Sequence, residues 1–162
     1  MNERIILGID PGYARLGWGV IAARGSQIRL VDYGTIETPK DEELPQRLAI
    51  ISQALENILA RHNPTEIAIE ELFFAKNVKT ALQVAHARGV IFLRAVHHCG
   101  HIFQYKPNQV KQATTGVGNA DKKQMQEMVK RILNLREVPK PDDSADALAI
   151  AITHHAYHRC NL

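Results

Sequence analysis

Cysteine is nearly absent from this chain. Of 162 residues only Cys99 and Cys160 are cysteines, and no CxxC pair occurs. This excludes a disulfide-stapled scaffold and the usual cysteine zinc motifs; the two thiols read as reduced, in a cytosolic protein. No apolar run approaches the length needed to cross a bilayer. Met1-Asn2-Glu3-Arg4 runs straight into an apolar segment, without a cationic region, apolar core and cleavage site in series. The expectation is a soluble cytoplasmic protein with no membrane partner. No internal repeat, low-complexity tract or interdomain linker divides the sequence, so residues 1–162 are expected to form a single domain. Neither sign of charge dominates: Lys and Arg number 20, Asp and Glu 17. The isoelectric point of about 9.0 leans basic, which suits a polyanionic partner without requiring one.

What is present is a sharp pattern of strands and helices. Ile5-Ile6-Leu7-Gly8-Ile9 has the length and β-branching of a buried strand and ends in Asp10, before a Pro11-Gly12 turn. Gly17–Ala23 and Ile28–Ile36 read as two further strands joined by the Arg24-Gly25-Ser26 turn, giving an antiparallel meander. Leu44, Leu48, Ile51, Leu55 and Ile58 line one face of a helix that Asn63-Pro64 stops. A strand over Glu66–Leu72 follows, and a helix leading into a strand predicts parallel pairing with the first strand. Asn77 is a candidate cap for a long helix reaching about Cys99. On it Ala81, Ala85 and Gly89 lie four apart, a small-residue stripe that fits packing on the domain's own sheet or a subunit interface. Then come a short strand over His101–Tyr105, a helical turn at Asn108–Ala113 and a loop over Thr114–Asn119. A helix over Asp121–Leu135, the Pro139-Lys140-Pro141 break and a helix from Asp142 to about His158 complete the chain. The order β-β-β-α-β-α-β-α-α predicts an α/β fold: a mixed five-stranded sheet, part antiparallel meander and part parallel, flanked by helices.

Acidic residues sit where a solvated surface explains them poorly. Asp10 and Glu70 each end a core strand, where a charge is costly unless paired, hydrogen-bonded or on a metal. Alternation puts Asp10 on one face with Gly8 and Glu70 on one face with Ala68. The ordinary readings are a turn-capping Asp and a polar strand end. In Asp142-Asp143-Ser144-Ala145-Asp146, Asp143 and Asp146 share a helix face that Ile150 and His154 continue. Asp142 and Asp143 also suit a helix N-terminus, whereas apolar residues surround Asp146. If these acids converge, they form an all-oxygen site favouring Mg²⁺, with Mn²⁺ able to substitute. Two such ions about 4 Å apart are a known device for phosphodiester hydrolysis.

The motifs in order resemble those of the RuvC family of Holliday-junction resolvases. They are Gly8-Ile9-Asp10-Pro11-Gly12 with Gly17-Trp18-Gly19, Ala68-Ile69-Glu70 before Phe73-Phe74-Ala75-Lys76-Asn77, and Ala85-His86-Ala87-Arg88-Gly89. Val110-Lys111-Gln112, Gly116-Val117-Gly118-Asn119-Ala120-Asp121-Lys122 and Asp143-Ser144-Ala145-Asp146-Ala147-Leu148-Ala149 complete the set. The resemblance implies a ribonuclease-H-like fold and a homodimer that cuts two strands of a four-way DNA junction symmetrically with Mg²⁺. It also implies two ions per site during catalysis and cooperation with the RuvA–RuvB branch-migration complex. The family's four acidic positions fall on Asp10, Glu70, Asp143 and Asp146, although some members carry His at the third. Its functional lysines fall on Lys111 and Lys122, and its aromatic reaching into the junction centre falls on Phe73, where stacking on an unpaired base is the physical rationale. Arg88 is a further candidate DNA contact.

His154 lies one turn past Ile150 and is a candidate modulator of metal or water; the alternative is a hydrogen-bonded histidine beside the core. His154 and His158 are four apart, as zinc ligands on a helix can be, but His155 stands where a metalloprotease base would be. Competing readings are a ribonuclease-H-like nuclease acting on RNA and a module that binds branched DNA without cutting. The Gly-Ile-Asp turn also resembles a phosphate loop of actin-like ATPases, which need two related domains.

Overall fold

The computed structural model describes residues 2–72 and 78–159. Phe73, Phe74, the candidate cap Asn77 and Cys160 therefore lie outside the described residues. Strands β1 (Arg4–Asp10), β2 (Arg15–Arg24) and β3 (Gln27–Glu37) form the antiparallel meander. Helix α1 (Leu44–His62) crosses over to β4 (Glu66–Glu70), which pairs parallel with β1. Helix α2 (Val78–Cys99) crosses to β5 (Phe103–Tyr105), parallel to β4. The sheet order is β3-β2-β1-β4-β5. Helices α3 (Pro107–Thr115), α4 (Lys122–Ile132) and α5 (Asp142–Arg159) follow.

Strand alternation divides the core. Leu7, Ile9, Ile67 and Ile69 point to α1 and α2, meeting Ile51, Leu55, Ala87 and Ile91. Ile6 and Ala68 face the other way, onto Leu148, Ala149 and Ile152 of α5. The space beside Asp10 and Glu70 serves this helix: a Cβ on Gly8 would overlap the Ala147 carbonyl, and one on Gly17 the Asp143 carbonyl. An alanine-rich helix lies directly on a glycine-bearing sheet, so its first turns reach the carboxyl ends of β1 and β4.

Two expectations need correction. Residues 107–115 form a helix rather than a turn, because Pro107 occupies its first turn and Gly116 closes it in the left-handed region (φ 78°). The small-residue stripe of α2 does not pack on the sheet as a unit: Ala81 is buried but Ala85 and Gly89 are exposed, and Ala87, Arg88, Ile91 and Ala95 make the inward contacts. The start of α4 is closed by a side-chain cap. Asp121 caps it, accepting from the Gln124 N–H at 2.8 Å, while the Gln124 side chain accepts from the Asp121 N–H.

Candidate active site

Three elements deliver the acids. Asp10 ends β1, Glu70 ends β4 beside it, and Asp143 and Asp146 occupy the first turns of α5. One carboxylate oxygen from each of Asp10, Asp143 and Asp146 lies within 4.8 Å of the others. Glu70 is outside that tight trio but lines the same pocket as Asp10 and Asp146, a cavity of about 340 Å³ with Lys111, Lys122 and Ile150 also in its wall.

The electrostatics are those of concentrated negative charge. Burial, then the charges of Asp146, Glu70 and Asp143, push the Asp10 carboxyl well above the usual range. Burial and Asp146 raise Glu70 against the opposing pull of Lys111 and Arg88. Burial also raises Asp146, outweighing the attraction of Lys122. Positive charge answers from two residues. Lys122 Nζ stands 3.5 Å from Asp146 and 3.6 Å from Asp142, and Arg15 stands 3.6 Å from Asp143. Burial acts to lower Lys122, but Asp146 and Asp142 outweigh it and hold the ammonium above its usual pKa. Every donor in the trio is a carboxylate oxygen, which fits a hard divalent cation and not a zinc site of cysteine and histidine.

Two candidates are placed elsewhere. Arg88 is 6 % exposed and turned inward. Its Nη1 donates to the Glu70 carbonyl, its Nη2 donates to Gln104 Oε1 at 2.9 Å, and its guanidinium lies over Phe92. It is not presented to DNA. His154 is wholly buried, with Nε2 2.6 Å from Glu66 Oε2 and Nδ1 2.7 Å from the Tyr105 hydroxyl. Glu66 begins β4 and Glu70 ends it, so His154 meets the far end of the strand from the acids. Both ring nitrogens are engaged, which leaves none for zinc. The Glu66 carboxylate is held below its usual range because His154 and Arg4 together outweigh its burial. Phe73 lies outside the described residues.

Arg15 and Gln104 are neighbours of the acids that the sequence did not single out. Arg15 carried no periodic signal; it lies just past the Pro11-Gly12 turn and also pairs with Glu37 at 2.9 Å.

The fold and the acids define the class: a ribonuclease-H-like sheet carrying the site of a metal-dependent nuclease. The family model for crossover junction endodeoxyribonuclease RuvC matches residues 6–154. A RuvC from Alkaliphilus oremlandii is 57% identical over 150 residues, covering 93% of this chain and 92% of that one. A RuvC from Halothermothrix orenii is 51% identical over 157 residues, covering 97% and 95%. The solved structure of T. thermophilus RuvC in complex with Holliday junction substrate superposes with a TM-score of 0.92 at 38% identity, over 98% of this chain and 96% of that one. This chain belongs to the RuvC family of crossover junction endodeoxyribonucleases.

Proposed function

We propose that this protein resolves four-way DNA junctions in recombination and repair by paired symmetrical strand cuts. Convergence of Asp10, Asp143 and Asp146 within 4.8 Å, beside lysines in one pocket, is the observation that carries the reading. Asp10, Glu70, Asp143 and Asp146 would hold Mg²⁺ there, two ions during turnover, with Mn²⁺ as a substitute. Bound metal supplies an activated water and offsets charge on the phosphate. Lys122, paired with Asp146 and Asp142 in the wall of the same pocket, is placed to meet the scissile phosphate. Lys111 faces the same phosphate from α3. Phe73 stacks on a base unpaired at the exchange point. RuvA–RuvB delivers the junction, and the reaction takes place in the cytoplasm.

The deciding assay compares a four-way junction, a linear duplex and an RNA–DNA hybrid, each with Mg²⁺, with chelator and with Asp146→Asn protein. The expected result is symmetrical nicking of the junction alone, lost with chelator or Asp146→Asn while gel-shift binding survives. Cutting of the hybrid alone would make the protein an RNA nuclease, and binding without cutting in any divalent metal would make it a junction-binding module. Lys111→Ala and Lys122→Ala are each expected to slow single-turnover cleavage by roughly 10²-fold with little change in junction affinity. Wild-type rates in both variants would remove the phosphate role.

Paired cuts need two active sites, and α2 offers a face on which a second subunit fits. Val78, Leu82, Leu93 and Val96 are exposed on it, Leu82 and Leu93 at 57 % each, and exposed Ala85 and Gly89 lie between them. Their spacing of 4, 3, 4, 4 and 3 makes one helical stripe, and its small central residues admit close approach of a partner helix. Leu82→Glu with Leu93→Glu is expected to weaken self-association by roughly 10²-fold or more, measured by sedimentation. An unchanged dimer would move the contact to another face.

A further inference from the structure

Arg88 sits on the same helix as this stripe but is buried, and its contacts give it a structural task. It is buried, and the structure gives it two hydrogen-bond partners: the Glu70 carbonyl, to which Nη1 donates, and Gln104 Oε1, 2.9 Å from Nη2. Glu70 is the last residue of β4 and Gln104 is the middle residue of β5. One planar guanidinium therefore ties the end of the strand carrying an acid to its neighbour strand and to α2. The Phe92 ring, 5.0 Å from the guanidinium carbon, stacks behind it and limits its tilt. The next backbone link is also fixed, since the Glu71 N–H donates to the Tyr105 carbonyl at 2.7 Å. A buried guanidinium is expensive unless its donors are used; here they are spent on main chain and amide, and the nearby charges of Glu71 and Glu70 favour its charged form against burial.

We propose that Arg88 is a positioning residue: it fixes the Glu70 backbone against α2 and so sets the height of the Glu70 carboxylate over the metal site. The inference rests on the nuclease reading for the identity of the site, and its geometry stands apart from the strand-cutting assay.

The test uses the full chain with Arg88→Met, Arg88→Lys and Gln104→Met. Gln104 is exposed, so its substitution leaves folding intact and removes half of the clamp. Each protein is examined for melting temperature in chelator, for mass in solution, for the Mn²⁺ concentration giving half the maximal melting shift, and for single-turnover junction cleavage against Mg²⁺. Supporting partners of metal ligands typically matter by about 10–100-fold in affinity or rate. Arg88→Met is expected to raise the metal midpoint and lower the cleavage rate within that range, with junction binding retained. Gln104→Met is expected to shift both in the same direction by less, and Arg88→Lys to recover part of the loss. Unchanged metal midpoints in folded Arg88→Met and Gln104→Met would overturn the inference. So would an Arg88→Met that fails to fold beside a Gln104→Met with a wild-type midpoint. A wild-type protein that cuts nothing but still shows the difference in metal midpoint would overturn the nuclease reading and leave the clamp standing.

Discussion

Replacing Asp10 by asparagine is expected to abolish junction cleavage, by on the order of 10³-fold, and at the same time to make the metal-free protein more stable at neutral pH. The second effect follows from the first group's surroundings. Burial and three neighbouring carboxylates raise the Asp10 pKa in the folded state above its unfolded value. The stability linked to such a group is fully present below the unfolded pKa and is lost as pH rises through the folded one. At neutral pH the ionised carboxylate therefore opposes folding until a cation offsets it, and the amide removes that opposition. A gain of about 1 kcal/mol corresponds to a melting temperature roughly 2–4 °C higher for a chain of this size. Mg²⁺ is expected to stabilise the wild type and to do so much less in Asp10→Asn, because an amide oxygen carries no charge for the ion to meet. Melting curves at neutral pH with chelator and with Mg²⁺ decide it. A variant less stable than wild type in chelator would mean that Asp10 is held by partners that stabilise its charge.

The largest structural effect is expected at Gly8. A valine there would drive its Cβ into the Ala147 carbonyl, with the Ala151 amide nitrogen 2.7 Å and the Ala151 Cβ 3.0 Å away. These are backbone atoms and a methyl group of a helix buried along its length, so none can swing aside as a long side chain would. Helix α5 must lift from the sheet, separating Asp143 and Asp146 from Asp10. The expected loss is about 3 kcal/mol or more, or roughly 10 °C in melting temperature, with metal binding lost alongside. Gly118→Ala serves as the contrast. Its added Cβ would meet only Gln112 Oε1 at an ordinary 3.5 Å, and a change within about 0.5 kcal/mol is expected. Equal melting temperatures for Gly8→Val and wild type would refute the close packing of α5 on β1.

These two residues also mark how far the sequence could be read. The strands were legible because β-branched runs between turn residues are local signals, and the parallel pairing of β1 with β4 followed from the intervening α1. The small residues beside Asp10 and Glu70 were legible as space, but not as space for a helix about 140 positions later in the chain. Convergence of Asp143 and Asp146 with Asp10 depends on that long-range packing, and no spacing encodes it; the family resemblance supplied it. The partners of Arg88 and His154 were hidden for a related reason. A charged or titratable residue on a helix shows its position on the helical wheel, while its partners, Glu70 and Gln104 for one and Glu66 and Tyr105 for the other, come from distant strands. The helix at 107–115 was understated even though Pro107 at its start and Gly116 at its end are ordinary punctuation.

The order of these elements along the chain has a consequence during synthesis. Asp10 and Glu70 leave the ribosome early, on strands that pair with each other, whereas Asp143 and Asp146 arrive on the helix that follows all other described elements. That helix also covers one whole face of the sheet. A nascent chain therefore holds an incomplete set of carboxylates beside a bare apolar surface, and both defects are repaired by a single docking event. The completion of the acidic trio and the cover of that sheet face are thus supplied by the same helix.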